Sequence, residues 1–392
     1  MNAATWRIAV TVLIASALAC ADDSAQAQGA FYQASEAEIA GPTGTIIREE
    51  PIMGAPAGGI THRVLYRSTA PDGKPIAVSG VVILPAGAVP DGGWPLVAWA
   101  HPTTGIVPRC APSLATFLFQ QIAGSRQLLE AGYAIAATDY PGLGTAGPHP
   151  YLVGNSEARA TIDAVRAART LPGMGNSNRY VAWGHSQGGQ AALFAGMISK
   201  SYAPELELIG VAAAAPATDL ATLMTDDLNT TGGRNLTAMT VWSWSRIYDA
   251  AATSVLAPIA IPVVDLLAKE CIESPFDILE RARTAAPLAK EFLIVKNPAD
   301  IEPWKSLLAR NTPGALSPTI PVFLAQGSGD HLVRPQVTLD YATRLCESGS
   351  KVQMLVMPNV SHGMAGHDSA DAAVAWIADR FAGRPAPSDC RN

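Results

Sequence analysis

At 392 residues and 40.8 kDa, the chain is long enough to bury a large α/β core. Hydrophobic residues make up 48% of it and charged residues only 15%, which leaves too few ionic side chains for a disordered polypeptide. With 27 Lys and Arg against 33 Asp and Glu, the net charge of −6 supplies no basic stripe, which argues against nucleic acid and anionic membranes as partners.

The chain opens with Arg7, an apolar run from Ile8 to Ala19, and small residues that include Ala25-Gln26-Ala27. This is the layout of a cleaved secretory signal occupying residues 1–27, and the run is too short for a stable membrane span. Cleavage after Ala27 removes Cys20 and leaves Cys110, Cys271, Cys346 and Cys390, an even set suited to an oxidising, secreted or periplasmic setting. A lipoprotein anchored through Cys20 is the second-ranked reading, because Leu18 sits one place later than the usual leucine.

Thr61–Ser68 and Ile76–Leu84, joined by Pro71-Asp72-Gly73-Lys74, read as an antiparallel hairpin that opens a sheet. Short apolar runs then alternate with helical patterns. The runs are Pro95–Ala100, Tyr133–Thr138, Tyr180–Gly184, Leu208–Ala214, Ile320–Gln326 and Val352–Met357. Glu157–Arg169, Gln190–Ile198, Gln336–Glu347 and Ala370–Phe381 carry apolar positions at helical spacing. The alternation predicts a mostly parallel sheet flanked by helices. It lapses over residues 220–314, too long for a loop, and this segment reads as a helical insertion over one end of the sheet. The core therefore falls in two parts, 28–219 with an N-terminal extension and 315–392 with a C-terminal tail.

The strongest chemical signal is Gly184-His185-Ser186-Gln187-Gly188-Gly189, between the Tyr180 strand and the Gln190 helix. Small residues two before and two after Ser186 let a sharp strand-to-helix turn close and lift its hydroxyl clear. A serine hydroxyl is a weak nucleophile, so a histidine must take its proton and a carboxylate must orient that histidine, in the chain order serine, acid, histidine. Asp330, in the glycine-rich turn after the Ile320 strand, is the acid candidate ahead of Asp340. His362, just past the Val352 strand, is the base candidate. His185 occupies the x position of the elbow and is expected to pack beneath the turn; His331 and His367 have surface or hydrogen-bonding roles as their simplest reading. Developing charge on a carbonyl oxygen calls for two backbone N–H donors. Gln187 supplies the first, and the His101-Pro102-Thr103-Thr104-Gly105 loop the second, with Thr103 favoured and Thr104 the alternative. No motif for a metal site or cofactor accompanies them.

With these motifs the chain resembles the α/β-hydrolase superfamily from Thr61 to Arg380, and more narrowly the secretory lipase family related to fungal lipase A. The narrower resemblance rests on His101–Gly105 followed by Cys110-Ala111-Pro112-Ser113, on Asp139-Tyr140-Pro141-Gly142-Leu143-Gly144, on Ala215-Pro216-Ala217-Thr218-Asp219, and on the size of the insertion. It implies a triad of Ser186, Asp330 and His362, a helical cap over an acyl-binding cavity, and disulfides Cys110–Cys271 and Cys346–Cys390. Thr103 and Thr104 depart from the acidic residue found in the oxyanion loop of some fungal relatives. Met224, Met239, Trp242, Trp244 and Tyr248 are candidates for lining the cavity, although plain core packing is commoner for such clusters. The expected function is a secreted serine carboxylester hydrolase or lipase. Its substrate is a small-molecule or lipid ester, with lipid surfaces met transiently. Acyl transfer to an alcohol through the same acyl-enzyme, and a non-catalytic binding protein on the same fold, are the alternatives.

Overall fold

The computed structural model describes residues 29–390, so the expected signal segment and Cys20 lie outside the described residues. The strands are β1 (Ile46–Ile52), β2 (Ile60–Thr69), β3 (Pro75–Leu84), β4 (Leu96–Ala100), β5 (Ala134–Thr138), β6 (Arg179–His185), β7 (Glu207–Ala214), β8 (Val322–Gly327) and β9 (Val352–Met357). They form one nine-stranded sheet in the order β1-β2-β3-β5-β4-β6-β7-β8-β9. From β5 to β9 every neighbour is parallel, while β1, β2 and β3 add an antiparallel edge.

The sheet therefore opens one strand earlier than the hairpin expectation. Ile46–Ile52 carries Arg48, Glu49, Glu50 and Pro51, a composition that hides the strand from an apolar-run reading but suits an exposed edge.

Alternation along the central strands builds the two faces. Leu96, Ala98 and Ala100 of β4 belong to the apolar cluster of one face, with helices Gly154–Thr170 and Gln187–Tyr202 over β4 and helix Pro335–Glu347 over β8 and β9. Val97 and Trp99 meet helices Ser125–Glu130 and Ala370–Phe381 on the other. Covering both faces buries every residue of β4 and β5, and all of them but Thr138 are apolar. Helices Gly154–Thr170 and Gln187–Tyr202 each begin three residues before the predicted start, because Gly154, Gly188 and Gly189 are poor helix formers that close packing nevertheless demands.

Residues 220–314 fold mainly into helices Leu220–Asp227, Thr231–Ile247, Ala260–Leu267, Pro275–Thr284 and Trp304–Arg310, with an isolated bridge between Leu256 and Leu293. Side chains of Asp219, Thr230 and Ser274 cap three of these helices by accepting the amides of Thr222, Gly233 and Asp277, the third residue of each. The segment has its own apolar cluster around Trp244, Val255, Leu267 and Trp304, joined to the core through Ile106, Tyr151 and Val153. Helix Pro275–Thr284 is inverted: Arg281 is its buried residue, while Phe276, Ile278 and Leu279 face solvent. Among the described residues no helix is long and apolar enough to cross a membrane.

Cys110, after β4, bonds Cys271 in this segment across 161 residues of sequence. Cys346 on helix Pro335–Glu347 bonds Cys390 in the tail across 44. Replacing Cys110 and Cys271 together by serine is expected to lower unfolding stability by about 2–5 kcal/mol, because the longer closed loop restrains the unfolded chain most. Thermal unfolding of the double variant beside the wild type measures it.

Candidate active site

β6 runs into Gly184-His185, and Ser186 caps helix Gln187–Tyr202 with φ 58° and ψ −117°. A serine held there costs about 1–3 kcal/mol and persists only when its surroundings over-determine it. They do so here. The Ser186 N–H donates to Ala214 O at 2.9 Å, and its carbonyl accepts from Gln190 at 3.1 Å and Ala217 at 3.3 Å. The turn closes so tightly that a Cβ on Gly184 would sit 2.1 Å from the Gly188 carbonyl oxygen, and one on Gly188 would sit 1.9 Å from that of Ala100. Only glycine fits at either place.

Asp330 lies three residues past β8 and His362 five past β9, so both emerge with Ser186 at the C-terminal ends of parallel strands. The Ser186 hydroxyl is 2.8 Å from His362 Nε2, and His362 Nδ1 is 2.8 Å from Asp330 Oδ2. With Nδ1–H donating to the carboxylate, Nε2 is left free to accept from the hydroxyl. Burial pushes the Asp330 carboxyl up, but the hydrogen bond and charge of His362 and the Leu332 and Val333 amides outweigh it, holding the group below its ordinary range. Asp340 is remote in role, accepting from Gln336 on an exposed helix face. His331 is exposed, and His367 pairs with Asp368 at the surface.

His185 makes no hydrogen bond to Ser186. Burial lowers it to about 3, and the neutral ring, 5.2 Å from the His362 ring, donates through Nε2 to the His362 carbonyl at 2.9 Å. It thus holds the backbone of the histidine that faces the serine, a more specific task than packing beneath the turn.

The Gln187 amide is the first of its helix, and with those of Thr103 and Thr104 it donates to no acceptor among the described residues. The threonine loop is fixed from both sides. Thr103 Oγ1 lies 3.2 Å from Tyr151 Oη, Thr104 Oγ1 donates to Cys110 O at 2.8 Å, and Thr104 O accepts from Ile272 at 2.7 Å.

Behind Gln187 stands a polar cluster that the sequence reading passed over. Its side-chain amide donates one hydrogen to Glu157 Oε1 at 2.7 Å and the other to His149 Nε2 at 2.9 Å. His149 Nδ1–H donates to Pro141 O at 2.8 Å, which fixes the neutral tautomer, and burial lowers the ring to about 3. Glu157 Oε1 also accepts the Leu152 N–H at 2.9 Å, so one oxygen ties the elbow to a loop in which Leu152 has φ 55°. Burial raises Glu157 to about 8. A signal existed in the sequence: Glu157 shares a helix face with Thr161, Ala164 and Ala168, an acid on an otherwise small, buried stripe.

From Ser186 and Gln187 a narrow cavity of about 60 Å³ leads between Tyr151, Leu220, Met224 and Leu236. Of the five Met and aromatic candidates only Met224 lines it. Trp244 and Met239 are core residues, Trp242 bonds Asp265, and Tyr248 bonds Asn311; the long aromatic side chains are needed to fill the helical segment itself. Among the described residues no group of three or more His, Cys, Asp or Glu side chains is placed to hold a metal ion.

A profile of the secretory lipase family matches residues 113–389. The chain is 27% identical over 373 residues to a probable inactive lipase of Mycobacterium tuberculosis, covering 87% of this chain and 79% of the relative. It is 24% identical over 390 residues to a secreted triacylglycerol lipase of Malassezia globosa, covering 92% and 83%. Candida antarctica lipase A superposes with a TM-score of 0.76 at 17% identity, over 92% of this chain and 87% of that one, and shares its α/β-hydrolase architecture. The chain therefore belongs to the secretory lipase family, carboxylic ester hydrolases built on the α/β-hydrolase fold.

Proposed function

We propose that the protein is a secreted or periplasmic serine hydrolase that cleaves lipid and other apolar acyl esters through an acyl-enzyme on Ser186. The observation that carries this reading is the unbroken line of contacts from Ser186 Oγ through His362 to Asp330, each 2.8 Å. His362 takes the Ser186 proton as the hydroxyl attacks the ester carbonyl. The resulting imidazolium is stabilised by ionised Asp330, and it then protonates the departing alcohol. A water activated by the same imidazole releases the acid and restores Ser186. Asp330 stays ionised throughout, in keeping with a carboxyl held below its ordinary range.

Residues 220–314 act as the cap in this reading, because their helices supply Met224, Leu236 and Leu308 to the cavity that begins at Ser186. The solvent-facing Phe276, Ile278 and Leu279 fit transient contact with a lipid surface. An ester series from acetate to emulsified long-chain triglyceride tests the substrate class, with hydrolysis extending to the emulsified esters expected. Activity confined to acetate would restrict the protein to an esterase.

Gln187 N–H and the amide of Thr103 are assigned to the oxyanion, with Thr104 as the alternative. Proline removes one amide donor at a time. Thr103→Pro is expected to lower kcat by about 10²–10³-fold with a smaller change in KM, the usual effect of losing one such donor. Should Thr104→Pro give that loss instead, the donor is Thr104.

A further inference from the structure

We infer that the cavity beside Ser186 is built for acyl groups bearing a hydrogen-bond donor, a hydroxyl first among them, near the ester carbonyl, and that Asp227 recognises that donor. The inference rests on the reading of Ser186 as nucleophile and names the substrate class of that same site.

Asp227 is 3% exposed and lines the same cavity as Ser186 and Gln187. Its carboxyl makes no hydrogen bond and no salt bridge among the described residues, and Oδ1 is fully buried without a partner. Its backbone carbonyl is engaged by Thr230, so the main chain is satisfied and the side chain alone is not. The position aggravates the cost. Asp227 is the last residue of helix Leu220–Asp227, where the partial negative charge of the helix end opposes a carboxylate. The neighbouring Asp226 has the structural role: it pairs with Arg334 at 3.4 Å on the surface. Gly233 of the next helix leaves the space that Asp227 fills, since a Cβ there would lie 2.2 Å from the Asp227 Cβ.

Apart from Ser186, Gln187, Asp227 and a few hydroxyls, the cavity walls are apolar. A buried acid without a partner destabilises the fold, and an apolar residue would serve packing better. An acid in this place is explained by a ligand that brings the missing donor. Burial raises Asp227 to about 6, with Arg334 and His362 opposing and Asp226 and Asp330 adding to the rise. Because Asp227 lines the same narrow cavity as Ser186 and Gln187, the donor it meets lies on the acyl chain close to the carbonyl. A carboxylate accepts a hydroxyl or ammonium hydrogen, and the two are separated in the test.

The test measures kcat/KM by titration of released acid for ethyl hexanoate, both enantiomers of ethyl 3-hydroxyhexanoate, ethyl 3-aminohexanoate and 2-hydroxyethyl hexanoate. The wild type is expected to favour one 3-hydroxy enantiomer over ethyl hexanoate by about 10-fold or more, the scale of one hydrogen bond to a charged group. Asp227→Leu is expected to reverse that ratio and to raise the melting temperature, and Asp227→Asn to fall between. A larger gain for the amino ester identifies ammonium as the preferred donor. Wild-type hydrolysis of ethyl hexanoate with no gain for either substituted acyl group, or a gain only when the hydroxyl is on the alcohol, overturns the inference and leaves the hydrolase reading intact. If no ester is hydrolysed, both fall together.

Discussion

Ser186→Ala and His362→Ala are each expected to lower kcat on a soluble aryl ester by about 10⁶-fold, and the double variant to lose little more. The reason is that the two side chains act as one unit. The hydroxyl is nucleophilic only while His362 Nε2, 2.8 Å away, can take its proton, and the imidazole has no substrate atom to serve without an alkoxide to generate. Binding should survive, since the cavity and the Gln187, Thr103 and Thr104 amides are untouched; a KM close to that of the wild type accompanies the loss. Additive losses in the double variant would mean that the two residues serve separate steps.

Glu157→Ala is expected to be among the costliest substitutions away from the triad. It strips the acceptor from the Gln187 side chain and from the Leu152 amide, both buried, and it leaves a void. Orphaned donors at about 1–3 kcal/mol each, with the cavity added, amount to about 3–5 kcal/mol of lost stability. Glu157→Gln retains an oxygen acceptor and removes the ionisable proton. Glu157 keeps its proton to about pH 8 in the folded chain, against about 4.3 when unfolded. Between those values the native state binds a proton that the unfolded chain has released. Stability therefore falls as pH rises through this window, by up to about 1.4 kcal/mol per unit, and the loss is complete above the folded value. The melting temperature of Glu157→Gln should gain on the wild type steadily from pH 5 to 8. Parallel curves would mean that Glu157 does not change charge in that range.

Much of the architecture was legible because the parallel strands are short apolar runs between turn formers, and burial on both faces permits few other residues. Ser186, Asp330 and His362 were legible for a related reason. Each follows directly on such a run, so placing the strands placed the loops at one edge of the sheet. β1 was hidden by its charges and proline, which mark an edge strand only once its neighbour is known. Glu157, His149 and Asp227 were missed because their significance depends on what packs against them. The partners of Glu157 come from residues 152 and 187, His149 joins the cluster only through Gln187, and Asp227 stands out only when its lack of any partner can be seen. Trp242 and Tyr248 were candidates for the cavity wall with packing the commoner role for such residues, and they bond Asp265 and Asn311 within the helical segment.

The central claim is that Ser186 is the nucleophile of an ester hydrolase, and covalent capture tests it most directly. Treatment of the mature protein with a serine-reactive alkyl phosphonate, followed by peptide mapping, should place one phosphonyl group per chain on the peptide containing Ser186, with hydrolytic activity lost in step. Full hydrolytic activity with no adduct on that peptide, or an adduct on a different serine that tracks the loss, would contradict it.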